Sequence, residues 1–554
     1  MTIQFLGAAG EVTGSKHLIT TNSGKTILLD CGMYQGKGME TDAANRNLGF
    51  DPKDIHYILL SHAHIDHTGL IPYVYKLGFR GKIFCTPATR DLCELMLQDT
   101  VFIQEQDVRW YNKKMDRQHK PKIQPLFDTN HARNVMKHFY TLEYDKPYRP
   151  DEEVEFCFTN SGHMLGSAII SLNIKEKGEL KRIAYTGDVG RAYSHILSSP
   201  QAFPQCDYLI CESTYGNRLH DDVHLSEEHL QGIVEETCMY KRGKLLIPSF
   251  SVGRTQEIVY VLNELYNDGR LERVPVYVDS PLSANATQIF RRYADTLNEQ
   301  VRDTMRYDND PFGFNSLRYI TDVKESKALN RSQEPCIIIS SSGMLEAGRI
   351  KHHVSNHIDD PTTTILIVGY CTPSSLGARI QDPNLRFVSI FGYDHRIRAQ
   401  ISKIEGFSGH GDYCEMIDYF ADFYADFDRS LCEVMLKDLS IDPKARMRTL
   451  SKGTKEKVQL LLVMARRAKL YLLDEPENSL SAKLQLELAK FIEESARFYN
   501  CQFIISTHSP FLLSLGGARI YDIDSMPVSI KKWTELENVR IYHEFFESHR
   551  KEFE

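Results

Sequence analysis

The sequence predicts an α/β protein of several domains, and three observations carry that prediction. Short apolar runs bounded by glycine, proline and polar residues alternate with stretches of helical spacing along most of the chain. At 554 residues the chain is too long for a single hydrophobic core. One strand-to-helix turn, Ser61-His62-Ala63-His64-Ile65-Asp66-His67-Thr68-Gly69, packs three imidazoles and a carboxylate into six residues, a density that a purely structural turn does not need. Hydrophobic residues at 42% and charged residues at 25% exclude the disordered and fibrous classes. No apolar run reaches the length of a membrane span, and no export signal is visible at the N-terminus. The 12 cysteines lack paired spacing, which fits a reducing, cytoplasmic setting. A net charge of −8 gives no global pull towards nucleic acid, so any such contact must come from a local basic groove.

Taken in order, Ile3–Gly7, Lys16–Thr20 and Thr26–Asp30 read as strands. Gly24-Lys25-Thr26 is expected to be a hairpin turn. It joins two strands, and Ile19 stands where a phosphate-binding loop would have its first glycine. Ile58–Leu60 reads as a buried strand feeding the histidine-rich turn, with helical spacing from Leu70 to Leu77 beyond it. Imidazole nitrogen and carboxylate oxygen suit zinc, which takes few ligands at about 2.0–2.2 Å. One short loop cannot close two coordination shells, so further ligands must come from far along the chain. Residues 81–150 hold the strand Lys82–Cys85 and then charge-rich helices. Their basic stretch Asp107–Lys122, with Trp110 and Tyr111, reads as a solvated helix face rather than an RNA surface. His163 and Asp188 sit in short loops beside strand-like runs. From Leu209 onward, the segments closing at Glu212, at Ser249-Phe250-Ser251, at Asp279-Ser280 and at Ser340-Ser341-Ser342 are strand–turn–helix units of a parallel α/β layer. His410 lies in Gly406-Phe407-Ser408-Gly409-His410-Gly411-Asp412, after the strand-like run Ile397 to Ile404.

The His-x-His-x-Asp-His spacing of residues 62–67 resembles the signature of the metallo-β-lactamase fold. The segments after Leu209 resemble the β-CASP insertion of its nucleic-acid-cleaving members, which include the pre-mRNA 3′-end endonuclease and ribonuclease J. The resemblance implies an αββα metallo-β-lactamase domain made of residues 1–208 and 385–422, interrupted by a β-CASP cap at 209–384, with the active site in the cleft between them. It implies two zinc ions. His62, His64 and His163 would hold one, Asp66, His67 and His410 the other, and Asp188 would bridge both. Glu212 matches an acid that assists proton transfer and joins Asp66 and His410 as catalytic residues. Asp30 matches an aspartate that orients metal-site residues by hydrogen bonds. Arg254, Ser341, Arg349 and Arg379, in cap motifs, are the implied substrate contacts. Where eukaryotic relatives carry a histidine this chain has Arg379, a poor proton donor. His352 or His353 could supply an imidazole instead, and the general acid stays open. The implied activity is endonucleolytic hydrolysis of single-stranded RNA by two metals, without a membrane and with a homodimer as an option.

From about residue 423 the chain resembles part of an ABC-type ATPase, read as a partial P-loop-NTPase-like α/β segment over 423–554. Ser451 falls in a signature-like loop, Asp474 and Glu475 end a Walker B-like strand, and His508 matches a switch histidine. After Pro476 the style shifts again, so joints are expected near 423 and 476. The phosphate-binding loop and its lysine have no counterpart, so ATP and magnesium are not expected as cofactors. The segment reads as a remnant, with a half-module completing a partner's nucleotide site as the sharper alternative. Three other functions compete. A hydrolase of small esters or lactams on the same fold leaves the cap unexplained, an inactive RNA-binding scaffold leaves the metal-ligand set unexplained, and an ATPase lacks its loop. Exposure to labelled RNA and to ATP separates them.

Overall fold

The computed structural model describes the chain apart from residues 37–38, 118–121, 203–204, 216–222, 272–273, 370, 373–374, 405, 413–414, 416–426, 439–464, 466–469, 475, 478–479, 499–500, 523–528 and 553–554. The chain divides into two units, one of Met1–Thr214 with His220–Gly411, the other of Tyr215–Leu219 with Asp412–Glu554.

Among the described residues, the first unit contains three sheets of four to six strands and one two-stranded hairpin. In the first, β1 (Thr2–Gly7), β2 (Lys16–Thr20), β3 (Thr26–Leu29), β4 (Tyr57–Leu59), β5 (Lys82–Cys85) and β6 (Phe139–Thr141) lie in sequence order. The pairing is antiparallel as far as β3 and parallel beyond it. The β2–β3 connection is the expected hairpin, closed by Thr21 and Lys25 backbone bonds with Gly24 at φ +88°. The second sheet has the order β10-β9-β8-β7, from β7 (Val154–Asn160), β8 (Ala168–Glu176), β9 (Glu179–Tyr185) and β10 (Tyr208–Ile210). Strand alternation explains how these two sheets stack. Ile27, Leu29, Leu59 and Phe84 point into a core shared with Phe156, Phe158, Ile170, Leu172 and Ile183 of the second sheet. Their neighbours Leu28, Ile58, Leu60 and Ile83 point the other way, into the core under the helices. Burying one such side chain contributes about 1.5–3 kcal/mol, so a one-residue slip in β3 or β4 would invert several at once.

The third sheet is parallel, with the order β13-β12-β14-β11-β15-β18, where β11 is Lys244–Pro248, β12 Val276–Val278, β13 Leu317–Tyr319, β14 Cys336–Ser340, β15 Thr364–Ile367 and β18 Gln400–Lys403. Both of its faces are covered. Leu245, Ile247, Ile337, Ile339 and Leu366 enter one core, while Leu246, Ile338, Ile365 and Ile367 enter another, which is why these strands read as unbroken apolar runs. The antiparallel hairpin of β16 (Phe387–Ile390) and β17 (Tyr393–Arg396) precedes β18. Two strand pairings bear on the expected boundaries. β10 pairs with β9, so the four-stranded sheet runs past residue 208 to Ile210. β18 pairs with β15 from Thr364↔Gln400 to Ile367↔Lys403, so residues 400–403 form an edge of the parallel sheet. An apolar run has the same signature whichever sheet it joins, and only long-range pairing decides.

In the second unit, β19 (Leu470–Asp474) and β20 (Gln502–Ser506) pair in parallel, with the helix Ala482–Phe498 between them in sequence. The buried Glu477 carboxylate accepts hydrogen bonds from Thr507 Oγ1, from His508 N at 2.8 Å and from Ser509 N at 3.0 Å, fixing the turn after β20. Asp474 ends β19 and His508 is exposed, whereas Ser451 and Glu475 lie outside the described residues. Among the described residues no helix is long and apolar enough to cross a membrane.

Candidate metal centre

β4 delivers the histidine-rich turn to one end of the sandwich. His64 precedes the short helix Ile65–Thr68, and the helix Ile71–Lys76 follows with Pro72 in its first turn, a position where the missing N–H costs nothing. β3 ends beside it at Asp30, which has φ +56° and is fully buried. Asp30 Oδ1 accepts the Ser61 N–H at 2.7 Å. Its Oδ2 faces Ser61 Oγ, His67 Nδ1 and Tyr185 Oη, each at 2.6 Å. Burial raises a carboxyl's pKa, but here the charge and hydrogen bond of His67 prevail and hold Asp30 below the usual range. His67 is thereby fixed with Nε2 turned to Asp188 Oδ1, 3.3 Å away. Against the effect of burial, Asp188 and Asp30 keep its imidazole protonated far above its ordinary pKa when no cation stands there.

Asp188, at the end of β9, is the hub. Its Oδ2 lies 3.4 Å from His62 Nε2 and 3.4 Å from His163 Nε2, while Oδ1 faces His67. His64 Nδ1 is 3.1 Å from His62 Nε2 and 3.2 Å from His163 Nε2. His163 Nδ1 faces the Gly409 carbonyl at 2.7 Å, so it carries the proton and leaves Nε2 with its lone pair. Burial drives the His62 pKa down to about 3 and those of His64 and His163 well below the ordinary value, so all three rings are neutral at physiological pH. Neutral imidazoles with converging lone pairs repel unless a cation sits among them. The donor atoms of His62, His64, His163 and Asp188 all lie within 4.8 Å of one another, a set that fits one metal ion.

A second group with the same spacing is Asp188, Glu212 and His410. His410 Nδ1 is 3.0 Å from Glu212 Oε2, and Glu212 Oε1 accepts the Val189 N–H at 2.6 Å. Burial lowers the His410 pKa, but the charge and hydrogen bond of Glu212, together with the charges of Asp188 and Asp66, lift it to about 9. Glu212, expected from sequence as a proton-transfer acid, thus also orients His410, whose Nε2 is 4.0 Å from Asp188 Oδ2. Asp66 belongs to neither group, although burial and the neighbouring Asp188 charge raise its pKa to about 6.

The expected substrate contacts separate. Arg254 opens the helix Arg254–Asn267, is ion-paired to Glu257, and brings its Nη2 within 3.5 Å of where a side chain on Gly409 would begin, beside the His163 ring. Ser341 Oγ is 3.4 Å from Ser280 Oγ, and Arg379 is exposed at the end of the helix Leu376–Arg379. Arg349 is committed elsewhere. Its Nη1 donates to the buried Asp279 at 2.6 Å and its Nη2 to the Thr321 carbonyl at 2.6 Å. His353 Nε2 meets the same Asp279 at 2.7 Å while its Nδ1 faces Asn330, and the His352 ring stacks on Phe391. A salt bridge spanning 70 positions leaves no local trace in sequence. Sequence reading also missed Tyr185, the Ser15 hydroxyl 2.8 Å from Tyr185 Oη, and the Gly409 carbonyl. Only the position of Tyr185, three residues before Asp188 at a strand end, hinted at a role.

Fold and site together define a metal-dependent hydrolase of the metallo-β-lactamase class. The sequence matches the metallo-β-lactamase superfamily over residues 10–94 and the β-CASP domain over 255–380. It also matches an AAA domain described for the AbiEii toxin of type IV TA systems over 414–514, in keeping with the partial ATPase-like segment. A ribonuclease of Thermus thermophilus is 36% identical over 422 residues, which are 76% of this chain and 90% of that protein. An RNase J-like protein of Methanocaldococcus jannaschii is 32% identical over 421 residues, 75% of this chain and 88% of its own length. The transcription termination factor FttA of the same organism is 31% identical over 427 residues, and this chain spans 64% of its length. The chain belongs to the β-CASP family of metallo-β-lactamase-fold hydrolases.

Proposed function

We propose that the chain is a zinc-dependent endoribonuclease that hydrolyses phosphodiester bonds in single-stranded RNA at a two-metal centre. One observation carries the reading: the two oxygens of Asp188 face different histidines, Oδ1 towards His67 and Oδ2 towards His62 and His163. A carboxylate so placed suits two adjacent cations, because it neutralises both. His62, His64 and His163 would hold one ion, and Asp66, His67 and His410 the other, with Asp188 shared and Glu212 beside His410. Bound there, the pair would polarise a phosphate and lower the pKa of water.

The chain's own residues do the rest. Asp30 fixes the tautomer of His67, and Glu212 does so for His410, so the nitrogens facing Asp188 keep one direction. The His410–Glu212 pair can take up or release a proton at His410 Nδ1 within hydrogen-bond reach. Arg254, beside His163 and already balanced by Glu257, is the candidate for a backbone phosphate, with Ser341 and Arg379 further along the cap. The enzyme would act in the cytoplasm, where its eleven described cysteines, none of them in a disulfide, stay reduced, and the reading admits a homodimer.

Purified protein should contain close to two zinc ions and cleave labelled single-stranded RNA. Asp66→Ala should abolish that cleavage while leaving the protein folded. Folded protein without transition metal, or full activity in Asp66→Ala, would refute the two-metal reading.

The ATPase-like segment is proposed to hydrolyse no ATP. Asp474 and Glu475 offer carboxylates for a metal and a water, but in P-loop enzymes a glycine-rich backbone and a lysine grip the triphosphate. Glu475→Gln, which would block a working site, should leave ATP turnover at the level of buffer with or without RNA. Micromolar ATP binding, or turnover lost in the variant, would revive the half-module.

A further inference from the structure

We propose that the β16–β17 hairpin is an accessory binding site for single-stranded nucleic acid, built from none of the metal-centre residues. The proposal rests on RNA as the substrate class and extends it to a second point of contact. The hairpin's inner side is anchored, because Val388 and Ile390 are buried in the cap core and His395 Nε2 is 3.3 Å from Ser355 Oγ. Its other large side chains face water: Phe387 is 58%, Phe391 49% and Tyr393 74% exposed. All three are aromatic. Three exposed rings on one hairpin offer the flat surfaces on which unpaired bases stack.

The turn adds a separate observation. Phe391 at φ +55° and Gly392 at φ +84° form a two-residue connection with both residues left-handed, a geometry for which Asn-Gly is the favoured pair. A bulky side chain rarely adopts that conformation. Here it holds a half-exposed ring at the hairpin tip, stacked on His352 at 4.6 Å between centroids and with Lys351 Nζ 5.4 Å from its centre. The strained turn leaves about half of the ring in water, which points to use of that exposed part.

Charge selects the partner. Residues 386–403 carry Arg386, Arg396, Arg398 and Lys403 against Asp394 alone, a local +3 in a chain of net −8. Arg386, Arg396 and Arg398 are exposed, and none makes an ion pair or side-chain hydrogen bond among the described residues. Arg396 stands directly opposite Phe387 in the strand register, so a cation and a ring share the outer face. Unpaired guanidiniums interleaved with exposed rings suit a phosphate backbone whose bases are free to stack. A duplex, whose bases are already stacked, gains only the charge.

The test uses the full chain as purified, fluorescence anisotropy with labelled 20-nucleotide oligouridine, oligothymidine and a duplex of equal length, and a check of probe integrity after each reading. Phe391→Asn puts the favoured residue into the turn, so the fold is retained. Combining it with Phe387→Ser and Arg396→Gln should weaken single-strand binding by at least about tenfold. It should also flatten the salt dependence by about 0.7 in the log–log slope, the share of one lost cation. Duplex binding should change much less. Single-strand binding at the wild-type level in Phe391→Asn and in the triple variant would overturn the proposal. So would equal losses for single strand and duplex, no wild-type binding at all, or an altered sedimentation coefficient with binding intact, which would mark a protein contact. Binding is read without turnover, so a protein that binds through the hairpin and cleaves no RNA refutes the nuclease reading alone.

Discussion

Asp188→Asn is expected to lower RNA cleavage by on the order of 10³-fold or more and to cut the metal content from near two ions to one or fewer. The substitution keeps the shape of the side chain and removes its charge. An amide offers one oxygen with lone pairs, and its nitrogen offers none to a cation. In the present geometry both carboxylate oxygens are in use, Oδ1 beside His67 Nε2 at 3.3 Å and Oδ2 beside His62 and His163 at 3.4 Å. Whichever way the amide turns, one set of histidines faces an N–H₂ group. Elemental analysis on folded protein, with cleavage assayed at saturating zinc, provides the check. Two ions retained with near wild-type cleavage would show that Asp188 is not shared.

Much of this centre was legible in the sequence because its chemistry is local. Residues 62–67 announce themselves by spacing, and a turn so rich in donors demands distant partners, which His163, Asp188 and His410 supply in chain order. Asp30, an acid at the end of a strand next to β4, was marked only by the family resemblance. What escaped is everything decided by long-range contact. Arg349 looked like a phosphate ligand because an arginine in a cap motif carries no sign of the buried Asp279 it neutralises. The pairing of β18 with β15 likewise leaves no local mark in the sequence. The double task of Glu212, holding the Val189 N–H and orienting His410, depends on a loop that returns from 198 residues away.

Asp30→Ala should cost the first unit about 3–5 kcal/mol of stability and weaken metal binding by about 10–100-fold. The carboxylate is fully buried and engages the Ser61 N–H and hydroxyl, His67 Nδ1 and Tyr185 Oη, at 2.6–2.7 Å. Alanine strands these groups in a fully buried site, each unpaired donor costing about 1–3 kcal/mol. It also puts a side chain with no hydrogen-bonding compensation at φ +56°, where a short polar residue is better tolerated. His67 suffers twice, losing the charge that supports it and the hydrogen bond that aims its Nε2 at Asp188. The pH dependence supplies a sign. The Asp30 pKa is held below that of an unfolded aspartate, so its contribution is present above about pH 4 and is lost as pH falls through the folded-state value. The gap between wild type and variant should therefore be full at neutral pH and close on acidification. Urea midpoints for the first unit's transition at several pH values, with zinc affinity measured by competition against a chelator, make the comparison. Equal midpoints at pH 7, or a gap that widens in acid, would mean that the Asp30 carboxylate does not hold the site together.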